Sequence, residues 1–551
     1  MWHQLEPTQA HIAYVLIGAV SVIFSLVSLV FKEQLFIGEA IVGTFFGSVV
    51  GPHVLNWFNP SRWTDNVDNL TFELSRLILV IQLFATGAEL PPKYIWKHIR
   101  SLNLVLFGAM IYGWLILSLF VWLIFRSVGL NFSDSLLVGS TFVATDPVLA
   151  AAIVGKSKFA ERIRADVRNL IQAESGSNDG LAFPFVTLSI NLILNRPDNI
   201  HAGEIVKDWV LVGILYQCAF GILFGVVIGS LGRYSYLFTR SHRWIDNESS
   251  LVFYIGLSLI ITGLASILGC DDLLASFAAG CAYSWGGQID FELQPSGDDH
   301  TDSEPLRFSS VVDLLLNTAY FVYVGSILPW NEFSPYASKL VALGVVFVFL
   351  SRIPAMLFLQ HITPDIRDWK DALFIGHFGP RGVGSIFCCL LAKHLLETRS
   401  SDPSSHETLL KVMWPITTFI VVISVVVHGF SICCFTVYST AVKVRIQRQI
   451  TSESMEPVEP TDKPKSSTRR RMSKLRVVQP TTDDPDFPKY AYVSRTKVIL
   501  VNHHGDVIKE FENKHGSVGV ASRLVAFREG NQIVIEGNGS EIKRYDLESV
   551  A

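Results

Sequence analysis

The sequence predicts an all-α polytopic membrane protein with a cytosolic tail, and three observations carry that prediction. Half of the 551 residues are hydrophobic and 12% are aromatic, more apolar material than one soluble domain's core can hide. Apolar stretches recur from His11 to Thr440, each near the roughly 20 residues that a helix needs to cross about 30 Å of hydrocarbon. Between them the loops alternate in Lys and Arg content, as expected when positive loops stay in the cytosol during insertion.

Taken in order, the stretches predict thirteen transmembrane helices, at about 11–31, 35–57, 71–90, 102–125, 134–155, 165–194, 206–232, 247–269, 271–287, 307–329, 337–360, 371–396 and 410–440. The first lacks a basic start and a small-residue cleavage site and is longer than the apolar core of a secretory signal, so it reads as a retained span. Lys93, Lys97 and Arg100 share one face with Lys156, Lys158, Arg162, Arg164 and Arg168, and with Arg233, Arg240 and Arg243. Lys443, Arg445, Arg448 and Arg469-Arg470-Arg471 follow the last span. The C-terminus is therefore placed in the cytosol and the N-terminus, after an odd number of spans, outside. The acidic loop 288–304 departs from the alternation. The net charge of −4 averages over both faces and discriminates little. The seven cysteines lie in or beside apolar spans without metal-ligand spacing, which predicts free thiols.

Three regions follow: a transmembrane domain over 1–440, a basic and then Pro-, Ser- and Thr-rich linker over 441–490, and a tail over 491–551. The linker composition cannot bury enough apolar surface to offset ordering entropy and reads as disordered. Within it Arg470-Arg471-Met472-Ser473 has the spacing of a basophilic kinase site, with Ser473 as acceptor for a kinase or other regulator. The alternative is a plain solvated tail. Val498-Ile499-Leu500-Val501 and Gln532-Ile533-Val534-Ile535, with Gly-containing turns between, predict a small β-rich module.

An ionisable side chain at bilayer depth is costly and by default functional. Ala144-Thr145-Asp146-Pro147 sits in the middle of the fifth span, where proline lacks an N–H and clashes with the preceding turn. Broken backbone at that depth is tolerated where it lines a cavity or lies buried in protein. The Thr145 carbonyl and the Asp146 carboxylate become available as oxygen ligands, although Asp146 would also serve by neutralising the positive end of a half-helix. Glu174-Ser175-Gly176-Ser177-Asn178-Asp179-Gly180 lies in the sixth span. At 1.5 Å per residue beyond Arg168, Asp179 sits roughly 16 Å deep, near the midplane. Helical spacing pairs Ser175 with Asp179 and Glu174 with Asn178. Converging oxygens suit a hard cation rather than a transition metal. Against this stands a merely structural polar knot.

Arg352 in the eleventh span and Arg381 in the twelfth are positive partners for such acids, and each is expected to be paired, because an unpaired buried charge is very costly. Arg381 belongs to Gly379-Pro380-Arg381-Gly382-Val383-Gly384, a second Pro/Gly-broken span. Two broken spans are what an inverted-repeat transporter shows. Weaker candidates are Asp271 and Asp272 at the start of the ninth span, for cation recruitment or simply a solvated helix start. His377 would sense pH or be a satisfied interior histidine, and Glu89 and Asp313 lie near openings.

The Ala-Thr-Asp-Pro and Glu-Ser-x-x-Asn-Asp motifs, with Ser-Arg-x-Pro and Gly-Pro-Arg-Gly downstream, resemble the monovalent cation:proton antiporter superfamily, and within it the fungal plasma-membrane Na+/H+ antiporters. The resemblance covers spans one to thirteen and leaves out the tail. It implies an NhaA-like fold of two inverted six-helix repeats, with the fifth and twelfth spans unwound and crossing at the ion site, and a homodimer among membrane lipids. By motif, Asp179 and Asp146 would bind Na+ or Li+ with Ser175 and the Thr145 carbonyl assisting, Glu174 would pair with Arg352, and Asn178 would orient the site. No resident cofactor, nucleic acid or enzymatic step is implied; Na+, Li+ and H+ are cargo. With Asn178 rather than a second Asp before Asp179, electroneutral exchange is expected. A K+/H+ antiporter of the same fold is the alternative. An intramembrane aspartyl protease also uses two buried aspartates, but Gly176-Ser177-Asn178-Asp179 is not its Gly-x-Gly-Asp, and the arginine-bearing spans would have no role. An organic-anion carrier would want a basic site, and a channel a repeated filter.

Overall fold

The computed structural model describes residues 7–29, 38–147, 149–150, 163–194, 202–287, 306–400 and 402–453, with the backbone of strands at 292–293 and between 473 and 546; the first two strands, β1 (Glu292–Leu293) and β2 (Leu306–Arg307), pair antiparallel. It separates into residues 1–446 and 447–551.

The first unit is helical. In chain order it contains α1 (Gln9–Leu29), α2 (Glu39–Val50), α3 (Val67–Glu89), α4 (Ile99–Phe125), α5 (Phe132–Ser140), α6 (Ala165–Leu181) and α7 (Phe183–Leu194). A π-helical stretch, Trp209–Phe220, leads into α8 (Gly221–Ser241), followed by α9 (Asn247–Leu268), α10 (Asp272–Tyr283) and α11 (Phe308–Ser326). Then come α12 (Ala337–Leu350), α13 (Ile353–Leu359), α14 (Trp369–His377), α15 (Val383–Arg399) and α16 (Glu407–Glu453). Starts carry side-chain caps where the sequence offers Asn or Asp. Asn66 accepts from Asn69 N–H at 2.9 Å, Asn131 and Asp134 form a capping box, and Asp271 accepts from Leu274 N–H at 2.8 Å.

Among the described residues, six helical stretches are long and apolar enough to cross a bilayer on their own: 9–28, 67–89, 99–128, 203–241, 330–359 and 404–431. Shorter apolar helices cover 39–50, 252–268 and 314–326. Several of the remaining predicted spans are interrupted. The fifth leaves the helix over Ala144–Asp146, the sixth divides between α6 and α7 just before Pro184, and the twelfth is open over Phe378–Gly382. The breaks at Pro147 and Pro380 fall where proline and glycine predicted them. Those at Ser351-Arg352, before Pro354, and at Ala182 were not foreseen.

Lipid-type packing joins the pieces. A Cβ at Gly47 of α2 would overlap the Val322 backbone of α11. The absence of side chains there lets the two backbones meet, as in other membrane helix pairs. The α3–α11 seam is polar, with Thr71 to Tyr323 and Ser75 to Tyr320 hydroxyl contacts at 2.6 Å each, and Gln82 Nε2 donating to Asn317 Oδ1 at 2.8 Å. All seven cysteines are free.

In the second unit a seven-stranded sheet has the order β6-β5-β4-β3-β7-β8-β9, with β3 (Ser473–Val478), β4 (Tyr490–Val493), β5 (Lys497–Val501), β6 (Val507–Glu512), β7 (Leu524–Glu529), β8 (Gln532–Gly537) and β9 (Ser540–Asp546). Neighbouring strands are antiparallel except β3 and β7. Two features differ from the linker reading. α16 runs on to Glu453, and β3 lies inside the stretch expected to be disordered, beginning at Ser473 itself. The apolar Leu475, Val477 and Val478 between the charged runs are the residues the composition average hid.

Candidate functional site

The two opened backbones meet. Asp146 N–H donates to the Pro380 carbonyl at 2.8 Å, so the interruption after α5 hydrogen-bonds directly to the one before α15. Breaking two helices freed these groups, and pairing them satisfies part of the deficit. The Asp146 carboxylate then closes two helix starts. Oδ2 accepts from Val383 N–H at 2.8 Å, and Oδ1 from Leu149 N–H at 2.9 Å. A carboxylate facing two positive half-helix ends is favourably placed. The capping role is therefore the one the geometry displays, and each oxygen keeps a second lone pair.

From the other side α6 supplies the clasp. Asn178 Oδ1 accepts from Thr145 N–H at 2.9 Å while its Nδ2 donates to Thr145 Oγ1 at 2.7 Å. Thr145 Oγ1 in turn donates to Ser175 Oγ at 3.0 Å. One Asn side chain thus fixes the opened segment to α6, and an apolar substitute would leave a buried N–H without a partner.

Asp179 is the exception in this network. It is 2% exposed, and neither carboxylate oxygen has a hydrogen-bond partner among the described residues. Its immediate wall is α15, where a Cβ on Gly384 would overlap Asp179 Oδ1, just as one on Gly382 would overlap Asp146 Oδ2. Glycine at both positions makes the room. A cavity of about 230 Å³ reaches Asp179 from the Phe183 side, with Arg76, Gln217, Asp271 and Asp272 on its walls.

Glu174 is 1% exposed and forms a bidentate pair with Arg352, at 2.6 Å to Nη1 and 2.8 Å to Nη2. Arg381 differs from expectation. Among the described residues it makes no ion pair. Its Nη1 donates to the Gly379 carbonyl at 3.0 Å, its N–H to Ser424 Oγ at 2.6 Å, and its guanidinium lies 5.9 Å from the Phe347 ring centre. Charge–dipole and cation–π contacts hold it instead of a carboxylate.

The weaker candidates separate. Asp271 caps α10, and Asp272 accepts from Ser266 Oγ at 3.0 Å, so both are buried parts of the cavity wall rather than a solvated start. Glu89 is the last residue of α3, and Asp313 falls on α11 with its side chain outside the described residues. His377 lies 5.2 Å, ring to ring, from His428 of α16, whose Nδ1 is 2.8 Å from the Ser424 carbonyl. His428, Ser424, Arg76 and Ser385, whose buried hydroxyl has no partner among the described residues, escaped the sequence reading. His428 was findable, being a titratable residue in the middle of the last span. The others had no motif to mark them.

A family model, sodium/hydrogen exchanger, transmembrane, matches residues 20–437. The chain belongs to this exchanger family. It is 45% identical over 492 residues to a Na(+)/H(+) antiporter of Saccharomyces cerevisiae, covering 86% of this chain and 48% of that one. It is 47% identical over 447 residues to Na(+)/H(+) antiporter 2 of Zygosaccharomyces rouxii, covering 78% and 53%. The exchanger chain thus spans about half the length of these curated relatives. Its fold is similar to that of the sodium proton antiporter MjNhaP1 of Methanocaldococcus jannaschii, with a TM-score of 0.56 at 15% identity over 77% of this chain and 97% of that one. The resemblance read from the intramembrane motifs is confirmed at the level of family and fold.

Proposed function

We propose that this exchanger-family chain is a secondary antiporter that moves cytosolic Na+, and Li+, outward in exchange for external H+ by competition at Asp179. The observation that carries the reading is the bare Asp179 carboxylate, buried beside a cavity in a network where every neighbouring acid is hydrogen-bonded. A buried carboxylate is stable only when neutralised, and either a proton or a small cation neutralises it. Both cannot do so at once. Only the loaded site would cross the low-dielectric barrier, which couples the two gradients as one bundle moves against the other.

In this account Asp179 is the exchanged ligand and Ser175 lends its hydroxyl. The Thr145 carbonyl completes an oxygen set that suits a hard cation, and Asp146 adds negative charge while capping two half-helices. Asn178 and the Glu174–Arg352 pair are positioning elements. The lysine and arginine alternation supports a plasma-membrane orientation with the N-terminus outside and the tail, including Ser473, in the cytosol. The cavity beside Phe183 then opens outward. One-for-one, electroneutral exchange fits a single exchanged carboxylate.

The test is exchange in proteoliposomes holding the full chain, with an imposed pH gradient and Na+, Li+ or K+ offered in turn. Wild type is expected to exchange Na+ and Li+, and Asp179→Asn to fall to the protein-free background. Exchange surviving in Asp179→Asn would overturn the reading, and a rate that follows clamped voltage would overturn electroneutrality.

A further inference from the structure

The cavity that ends on Asp179 is not lined by acids alone. On its wall, Arg76 of α3 places Nε 3.2 Å from Asp272 Oδ2, without hydrogen-bond alignment, while its Nη1 donates to Glu73 at 3.1 Å. Its guanidinium lies 4.6 Å above the Phe72 ring, which stacks on Phe387 of α15 at 4.8 Å with only 8° between planes. Phe387 is one turn along α15 from Gly384, the residue that abuts Asp179. The Arg76 side chain is 24% exposed and Asp272 12%, so this cation stands at the border between water and the buried acids.

A helix surface built only to attract cations would not place a guanidinium against one of its two acids. With Asp272 shared between Arg76 and the Ser266 hydroxyl, a cation leaving Asp179 meets a vestibule already half neutralised. The long aliphatic stem and the Phe72–Phe387 stack hold Arg76 without burying its charge. Its misaligned contact with Asp272 leaves it free to yield and return. The exposed Glu73 supplies a resting partner one turn away.

Building on the antiport reading, we propose that Arg76 is a tethered counter-cation that competes with the transported ion for Asp272, so that the outer mouth of the site releases Na+ rather than rebinding it. Arg76 is thus a positioning and specificity residue that sets the affinity of one face only. Mutual exclusion at a shared carboxylate follows from Coulomb repulsion in a partly desolvated cavity.

The test measures Na+ efflux from cells expressing the full chain while external Na+ is raised at fixed external pH, for wild type, Arg76→Met, Arg76→Gln and Arg76→Lys. Met keeps the stem packing on Phe72 and removes the charge, so it covers the case in which the Gln chain fails to fold. External Na+ is expected to inhibit the Met and Gln variants at about tenfold lower concentration than wild type, a shift of about 1.4 kcal/mol. The cytosolic Na+ giving half-maximal efflux should stay unchanged, and Lys should stay near wild type. Proton-coupled efflux with an unaltered external half-inhibition, or equal shifts on both faces, would overturn the gate alone. Wild-type efflux indifferent to external pH would overturn the antiport reading and the gate with it.

Discussion

Two acids on α6 share a helix and near-complete burial but not a fate. Glu174 is closed, with two short hydrogen bonds to Arg352 and almost no exposure. Asp179, as deeply buried, has no hydrogen-bond partner among the described residues, and the nearby Arg381 is engaged by a carbonyl and a ring instead of it. Stability alone would favour treating both alike, since a bare buried charge is more costly than a paired one. On the proposed antiport reading, the difference separates the acid that holds the architecture from the one left for a transient partner. Gly384, which faces Asp179, points the same way, because it keeps open a space that packing would otherwise fill.

The sharpest way to break this contrast is Asp179→Asn. Exchange should drop at least about a hundredfold, 2.7 kcal/mol or more in transition-state terms, with the melting temperature in detergent unchanged or higher. A destabilised but active variant would erase the contrast. Glu174→Ala should behave in the opposite manner. Leaving Arg352 buried and alone costs about 3–5 kcal/mol, seen as lost yield and melting temperature, while the Na+ to Li+ preference of the surviving protein stays put. Removing Arg352 as well should recover part of the loss. Gly384→Ala should keep the fold, because Asp179 can yield slightly, yet weaken Na+ affinity about tenfold, 1.4 kcal/mol; direct binding to purified protein reads this. Smallest is Ser175→Ala, expected to lose about 1 kcal/mol, one ordinary hydrogen bond, as a modest rise in half-saturating Na+ with little change in melting temperature.

Much of this site was legible in the sequence because intramembrane polar residues are expensive, so each of Thr145, Asp146, Glu174, Ser175, Asn178 and Asp179 marks itself against an apolar background. Pro147 and Pro380 likewise announce breaks, and the need to match charges calls for arginine partners, of which the family resemblance assigns Arg352 to Glu174. What spacing could not supply was direction. Asn178 looked like an orienting group but nothing in one helix says that it would clasp Thr145, and Arg381 seemed to require a carboxylate because carbonyl and aromatic partners leave no charge to count. Arg76 stayed hidden for a related reason. As a charge inside the third span it is marked by the same rule, but its meaning depends on Asp272, nearly two hundred residues away. In the tail, composition averaged over the linker concealed the short apolar run that becomes β3.

Proton and cation are expected to exclude each other at Asp179, and adding Na+ to the purified full chain in weakly buffered solution while recording proton release reads that exclusion. Wild type is predicted to release protons on binding Na+, less so as the starting pH rises and Asp179 is already ionised, and Asp179→Asn to release none. Equal release from Asp179→Asn and wild type would contradict the account.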